Sequence, residues 1–170
     1  SMAQVLTPMG KKMSMIMPYA MQPGDNSSSL ILGLTNTRKL NEDITWGTQL
    51  KRKMVVSESV WSFGDQTEFN SWIQYPFSKQ VSVSSRLKFV DQDALSGRNP
   101  SIMAPVQTAN PKNYGGTEVF VGLGMNINLD IFFSGNDSIG IEILKPVNQN
   151  KNNLQMKTDY QVIIGYQKSF

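Results

Sequence analysis

The side chains able to do polar chemistry in this chain are Lys51, Lys53, Glu68, Asn70, Arg86, Lys88, Glu118, Asn126, Asp130, Glu142 and Asp159. All fall on the polar phase of segments in which polar and apolar residues alternate, so a sheet would gather them on one face. Lysines, an arginine and carboxylates gathered there either select solutes by charge or pair with one another. Pairing is the expected role, because sheltered charges must be paired or hydrated. Antiparallel pairing across residues 92–116 would bring Lys88 or Arg86 near Glu118, which makes that the expected ion pair.

Other chemistries are poorly supplied. The chain has no histidine and no cysteine, which removes serine–histidine hydrolysis, disulfides and thiolate metal sites. Met9, Met13, Met15, Met17 and Met21 form a methionine-rich tract whose thioethers suit Cu(I), but flexible apolar filling is the simpler role. Asp91, Gln92 and Asp93 offer oxygens for calcium without EF-hand spacing and read as a solvated loop. Gly122 and Gly124 lie inside a strand pattern, not at a strand-to-helix turn, so no nucleotide fingerprint is expected. With Gly140 and Gly165 they read as places of curvature or close side-chain approach before they read as room for a ligand. Neither a cofactor nor a metal is expected, and no enzyme active site is recognisable. The 16 Lys+Arg and 13 Asp+Glu give +3, scattered along the chain, which argues against a nucleic-acid partner.

The elements that must carry these residues follow from period-2 alternation. From Val119 to Phe133 every odd position is apolar, while Glu118, Phe120, Gly122, Gly124, Asn126, Asn128, Asp130 and Phe132 occupy the other phase. A strand over 117–133 would reach about 55 Å at roughly 3.3 Å per residue. The C-terminal segment alternates Tyr160, Val162, Ile164 and Tyr166 with Asp159, Gln161, Gly165 and Gln167, with Ile163 and Lys168 as exceptions. Further strands are predicted over about 28–38, 43–55, 66–77, 80–91 and 138–148, seven in all. Trp72 and Pro76 fit their strand less well, and Met13 to Gln22 is a candidate eighth strand interrupted by Pro18. Residues 1–27 are expected to form an N-terminal segment and 28–170 the strands.

The predicted links alternate between short (39–42, 78–79, 134–137) and longer (56–65, 92–116, 149–153). No apolar run approaches the roughly 18 residues of a spanning helix, so any membrane insertion would be as a closed barrel. Short turns at one end, long loops at the other and one apolar face per strand predict an antiparallel up-and-down transmembrane β-barrel of the outer membrane of a Gram-negative bacterium. Tyr75, Phe77, Tyr166 and Phe170 would then be aromatic anchors at the membrane interface, outer-membrane lipid would cover the apolar face, and the polar residues named above would face the lumen. Phe120, Phe132 and Trp72 are the inward aromatics. The opening Ser1-Met2 lacks the charged-then-apolar pattern of a secretion signal, as expected of a mature or trimmed chain.

Several phrases resemble the outer-membrane transporter-like barrels named for the MetA pathway of phenol degradation. They are Met17-Pro18-Tyr19-Ala20-Met21-Gln22, Gly33-Leu34-Thr35, Trp46-Gly47-Thr48-Gln49, Gly64-Asp65, the stretch Pro105 to Gly116, and Leu154-Gln155-Met156-Lys157-Thr158-Asp159-Tyr160 through Gly165-Tyr166-Gln167 to Phe170. Lys157 and Asn153 depart from the commoner residues. The resemblance covers most of the chain and implies the C-terminal part of a larger barrel. It also implies transport but no substrate; the expectation is passage of small, hydrophobic or aromatic molecules of unknown identity, and the terminal aromatic pattern resembles the signal read by the barrel-assembly machinery. The residues alone leave two alternatives: a soluble calyx-like barrel with its apolar face inward, and a structural or adhesive outer-membrane barrel.

Overall fold

A computed structural model describes residues 2–6, 9–22, 24–57, 59–102, 106–129 and 136–169. The first two strands, β1 (Met2–Leu6) and β2 (Lys12–Ile16), pair only with each other. After a 3₁₀ turn at Tyr19–Met21 come β3 (Ser28–Lys39), β4 (Thr45–Ser57), the short β5 (Trp61–Ser62), β6 (Gln66–Pro76), β7 (Val81–Gln92), the short β8 (Ser96–Gly97), β9 (Gly116–Asn128), β10 (Asn136–Lys151) and β11 (Gln161–Ser169). Seven of them form one antiparallel sheet in the order β11-β10-β9-β7-β6-β4-β3, a meander that curls through half a barrel. The all-β antiparallel expectation and its seven strands hold. Met13 to Gln22 adds no eighth strand to this sheet: Met13–Ile16 lies in β2, which pairs with β1, and Pro18 leads into the 3₁₀ turn.

Local chemistry sets the turns. The Asn41 side chain accepts the amides of Asp43 and Ile44, closing the link from β3 to β4. Ser78 Oγ does the same for Gln80 and Val81 before β7. Pro146, which no regular central strand would accommodate, sits at the register shift between Pro146 and Asn148, where β10 bulges away from β9. β10 is longer than its sequence pattern predicts because pairing with β9 resumes beyond that bulge, through Lys151. β9 is described to Asn128, and the remainder of the predicted 117–133 strand falls mostly outside the described residues.

Pairing is sheared in one direction. Lys53, Gln66, Gln92, Gly116 and Lys151 form one cross-strand row, yet β4 runs on to Ser57 while β11 begins only at the row of Leu144. Such a stagger tilts strands against a barrel axis.

The two faces differ in chemistry and in shelter. The concave face carries Lys51, Glu68, Asn70, Trp72, Arg86, Lys88, Phe120 and Glu142, all buried or half-buried. The convex face carries Leu30, Leu32, Leu34, Leu50, Phe69, Ile73, Leu87, Phe89, Val121, Leu123, Ile143, Val162 and Ile164, all exposed. Leu123 is 69 % accessible whereas Asn70, inward on β6, is 3 % accessible. This inverts the usual soluble arrangement, in which apolar side chains are the sheltered ones.

Candidate functional site

The concave face is built by register. One row runs Gly33, Lys51, Glu68, Val90, Glu118, Gln149; the next Gln49, Asn70, Lys88, Phe120, Pro146; the third Gly47, Trp72, Arg86, Gly122, Leu144, Gln161. Lys51 Nζ lies 3.1 Å from Glu68 Oε1, and Lys88 Nζ reaches the other carboxylate oxygen at 3.4 Å from the adjacent row. Asn70 donates to Glu68 Oε1 at 2.8 Å, so one sheltered carboxylate serves two cations and an amide.

Arg86 Nε meets Glu142 Oε1 at 2.6 Å although β9 lies between their strands. Gly122 and Gly124 make that crossing feasible. A Cβ on Gly122 would stand 3.1 Å from Leu144 Cδ2 and 3.3 Å from Glu142 Oε1, and one on Gly124 would stand 2.6 Å from Ser84 Oγ. On the near side the Arg86 guanidinium sits 5.5 Å from the centre of the Trp72 ring. That indole in turn occupies the space over Gly47, where a Cβ would fall 2.2 Å from Trp72 Cε2. At Gly140 and Gly165 no such crowding exists. Close side-chain approach thus explains Gly122 and Gly124 but not the other two.

Lys51, Lys53, Glu68, Asn70, Arg86, Lys88, Glu118, Asn126 and Glu142 share the concave phase. The expected pairing of Lys88 or Arg86 with Glu118 is corrected: Glu118 instead binds Lys151 at 3.0 Å. Register sets Val90 opposite Glu118 and Arg86 two rows away, and Lys88, one row away, is taken by Glu68. Asp159 lies in the exposed link ahead of β11, not on the face. Asp130 and Phe170 fall outside the described residues. Sequence reasoning missed Lys151, because the predicted strand stopped at 148; its alternation with Gln149 was the available signal.

Tyr75, Phe77 and Tyr166 lie exposed near the short-turn end, and Tyr166 donates its hydroxyl to Asp137 Oδ2 at 3.1 Å. Toward the other end Phe69 and Phe89 face each other across β6 and β7 on the convex side.

The long links form a cap at that other end. Tyr19, 0 % accessible, packs edge-on against Trp61 and Tyr114, with Leu95, Ile102 and Ala109 completing a small core. The Asn99 amide donates to Tyr19 Oη, and Phe63 and Ser27 donate their amides to Asp25. Burial opposes the Asp25 charge, but those amides prevail and hold its carboxyl below the ordinary carboxylate range. Tyr19 and Asp25 thus tie the approach to β3 to the cap. No family model, curated protein or solved structure matches this chain.

Proposed function

We propose that this chain is wall and cap of an outer-membrane β-barrel through whose polar interior small, hydrophobic or aromatic molecules pass. The observation that carries the reading is the exposed, mainly apolar convex face from β3 to β11, interrupted by Arg38, Arg52 and Lys145, set against a sheltered, ion-paired concave face. In water such a face would drive aggregation; in hydrocarbon it is the side that belongs outside. Its height is suitable. Phe69 to Phe77 spans eight residues, about 26 Å at roughly 3.3 Å per residue, or about 20 Å along the membrane normal at a strand tilt near 40°, against a usual apolar band of about 25 Å. Phe69 and Phe89 lie toward one end of that face and Tyr75, Phe77 and Tyr166 toward the other, with Trp46 between them.

Closure follows from strand direction. Six antiparallel steps separate β3 from β11, so both outer strands point the same way. Hydrocarbon tolerates no open sheet edge, and an antiparallel seam on both sides takes an odd number of further strands, giving an even total. This accords with the expectation, from the resemblance to the phenol-pathway barrels, that the chain is the C-terminal part of a larger barrel. In that setting the strand β11 and Phe170 would be the segment read by the barrel-assembly machinery, and the compartment the outer membrane of a Gram-negative bacterium.

The test is accessibility in lipid. Single cysteines at Leu123, Val121 and Ile164 should resist a water-soluble thiol reagent and, when labelled with a fluorophore before folding, be quenched by brominated lipid, while cysteines at Lys88 and Asn126 should react with the reagent. Reversed labelling would replace the membrane wall with a soluble calyx. Unchanged solute flux in vesicles after charge reversal at Glu142 and Arg86, alongside correct labelling, would leave a structural or adhesive barrel.

A further inference from the structure

The cap holds a cavity that the charged wall does not explain. It measures about 430 Å³ and lies between the 3₁₀ turns at Gln107–Ala109 and Pro111–Asn113, Tyr114, Ala20, and the link preceding β11. That volume lies within the range of small-molecule sites, toward its lower end. Its apolar lining comes from Ala20, Tyr114, Leu154 and Met156. Among the described residues no Asp, Glu, Lys or Arg lines it, in contrast to the concave face below.

Both walls are held by hydrogen bonds, but their apolar side chains differ in exposure. Tyr114 is held edge-on to the fully buried Tyr19 and donates its hydroxyl to the Thr108 carbonyl at 2.8 Å. Burial pushes that phenol up, so it stays neutral. Asn113 is clamped by the carbonyl and side-chain oxygens of Gln107, both at 3.0 Å. Opposite, Leu154 and Met156 project outward, Met156 with 91 % accessibility, and are free to fold over an occupant.

The polar groups at the rim are complementary amides. Gln155 spends its amide hydrogens on the carbonyls of Gly115 and Asn152 at 2.6 and 2.8 Å, which leaves its oxygen as an acceptor. Gln107 uses its oxygen to receive Asn113, which leaves its amide hydrogens as donors. An ion entering this cavity would lose hydration with no charged side chain among its described lining residues to replace it; Lys151, whose ammonium reaches the Met156 carbonyl at 3.0 Å, is already paired with Glu118.

We propose that this cavity is a binding site for a small neutral molecule, mostly apolar and carrying one hydrogen-bonding group, which Leu154 and Met156 close upon. The inference rests on the cavity alone and holds whether or not a solute crosses the barrel.

The experiment uses the full chain in detergent with ¹³C-methyl methionine, the Met156 resonance being assigned by Met156→Leu. Indole is the neutral probe and indole-3-acetate its anionic counterpart. Indole should move the Met156 methyl signal saturably, with indole-3-acetate about tenfold weaker or worse, while Met9, also exposed, stays in place. Leu154→Arg, on an exposed side chain outside the buried Tyr19 core, should weaken indole about tenfold and leave the other methionine signals unmoved. Non-saturating shifts, equal movement at Met9 and Met156, equal response to both probes, or unchanged affinity in Leu154→Arg would each overturn the assignment.

Discussion

The Arg86–Glu142 bridge allows the sharpest test of how the wall is built. The two side chains are 32 % and 18 % accessible, so the pair lies between an exposed ion pair, worth up to about 1 kcal/mol, and a buried one, where removing a partner costs about 3–5 kcal/mol. Its Nε–Oε1 separation of 2.6 Å is that of a strong charge-assisted contact. At an effective dielectric near 20, charges about 4 Å apart attract by roughly 4 kcal/mol before desolvation is subtracted. A coupling energy of about 1–2 kcal/mol is the expected remainder. A double-mutant cycle with Arg86→Ala and Glu142→Ala, read by urea unfolding of the detergent-folded protein, measures it. The same cycle in a Gly122→Val background should lose most of the coupling, because the added side chain meets Leu144 and the Glu142 carboxylate. Additive single effects, within about 0.3 kcal/mol, would refute the bridge. Full coupling in the Gly122→Val background would refute the role given to the glycine.

Four further outcomes are expected. Leu123→Arg should destabilise the lipid-folded protein by about 2–4 kcal/mol if Leu123 lies near the midplane, whereas Asn126→Arg should cost far less, both measured by unfolding from vesicles. Gly47→Val should cost about 1–3 kcal/mol by overpacking and shift tryptophan fluorescence, because Trp72 must leave its place. For Asp25, whose folded pKa is lowered, the stabilisation is present above the ordinary carboxylate pKa and is lost as pH falls through the lowered value. Cleavage of the cap by an acid-tolerant protease should therefore increase in that acid window, and Asp25→Asn should remove the step. Tyr166→Phe should lower the urea midpoint slightly through its lost bond to Asp137.

Alternation made the wall legible because one residue type per phase is all a tilted sheet with two unlike faces demands. Glu68, Asn70 and Lys88 could be put on one face from sequence for that reason alone. Which charges meet could not be read, since pairing depends on register, and register depends on turn lengths and on a bulge at Pro146 that no period reveals. Glu118 shows this, lying two rows from Arg86 and beside Lys151 instead. The cap was illegible for a different reason. Tyr19, Trp61, Leu95 and Ile102 come from short irregular pieces whose burial has no period, and only their meeting makes them a core. Trp72 gives an intermediate case: its inward phase was evident, but its place over Gly47 and beside Arg86 needed the neighbouring strands.

The cap also has a meaning in time. Tyr19 receives the amide of Asn99 across 80 residues of chain, and Asp25 receives that of Phe63 across 38. Closing such long loops costs entropy that is recovered only when both ends have been delivered by the strands beneath them. The wall's hairpins join near neighbours and can zip one after another, whereas the Tyr19 core has no partial form worth having. The cap should therefore set last, so that protection of the Asn99 amide from hydrogen exchange marks the moment at which the wall below it has been laid in the right order.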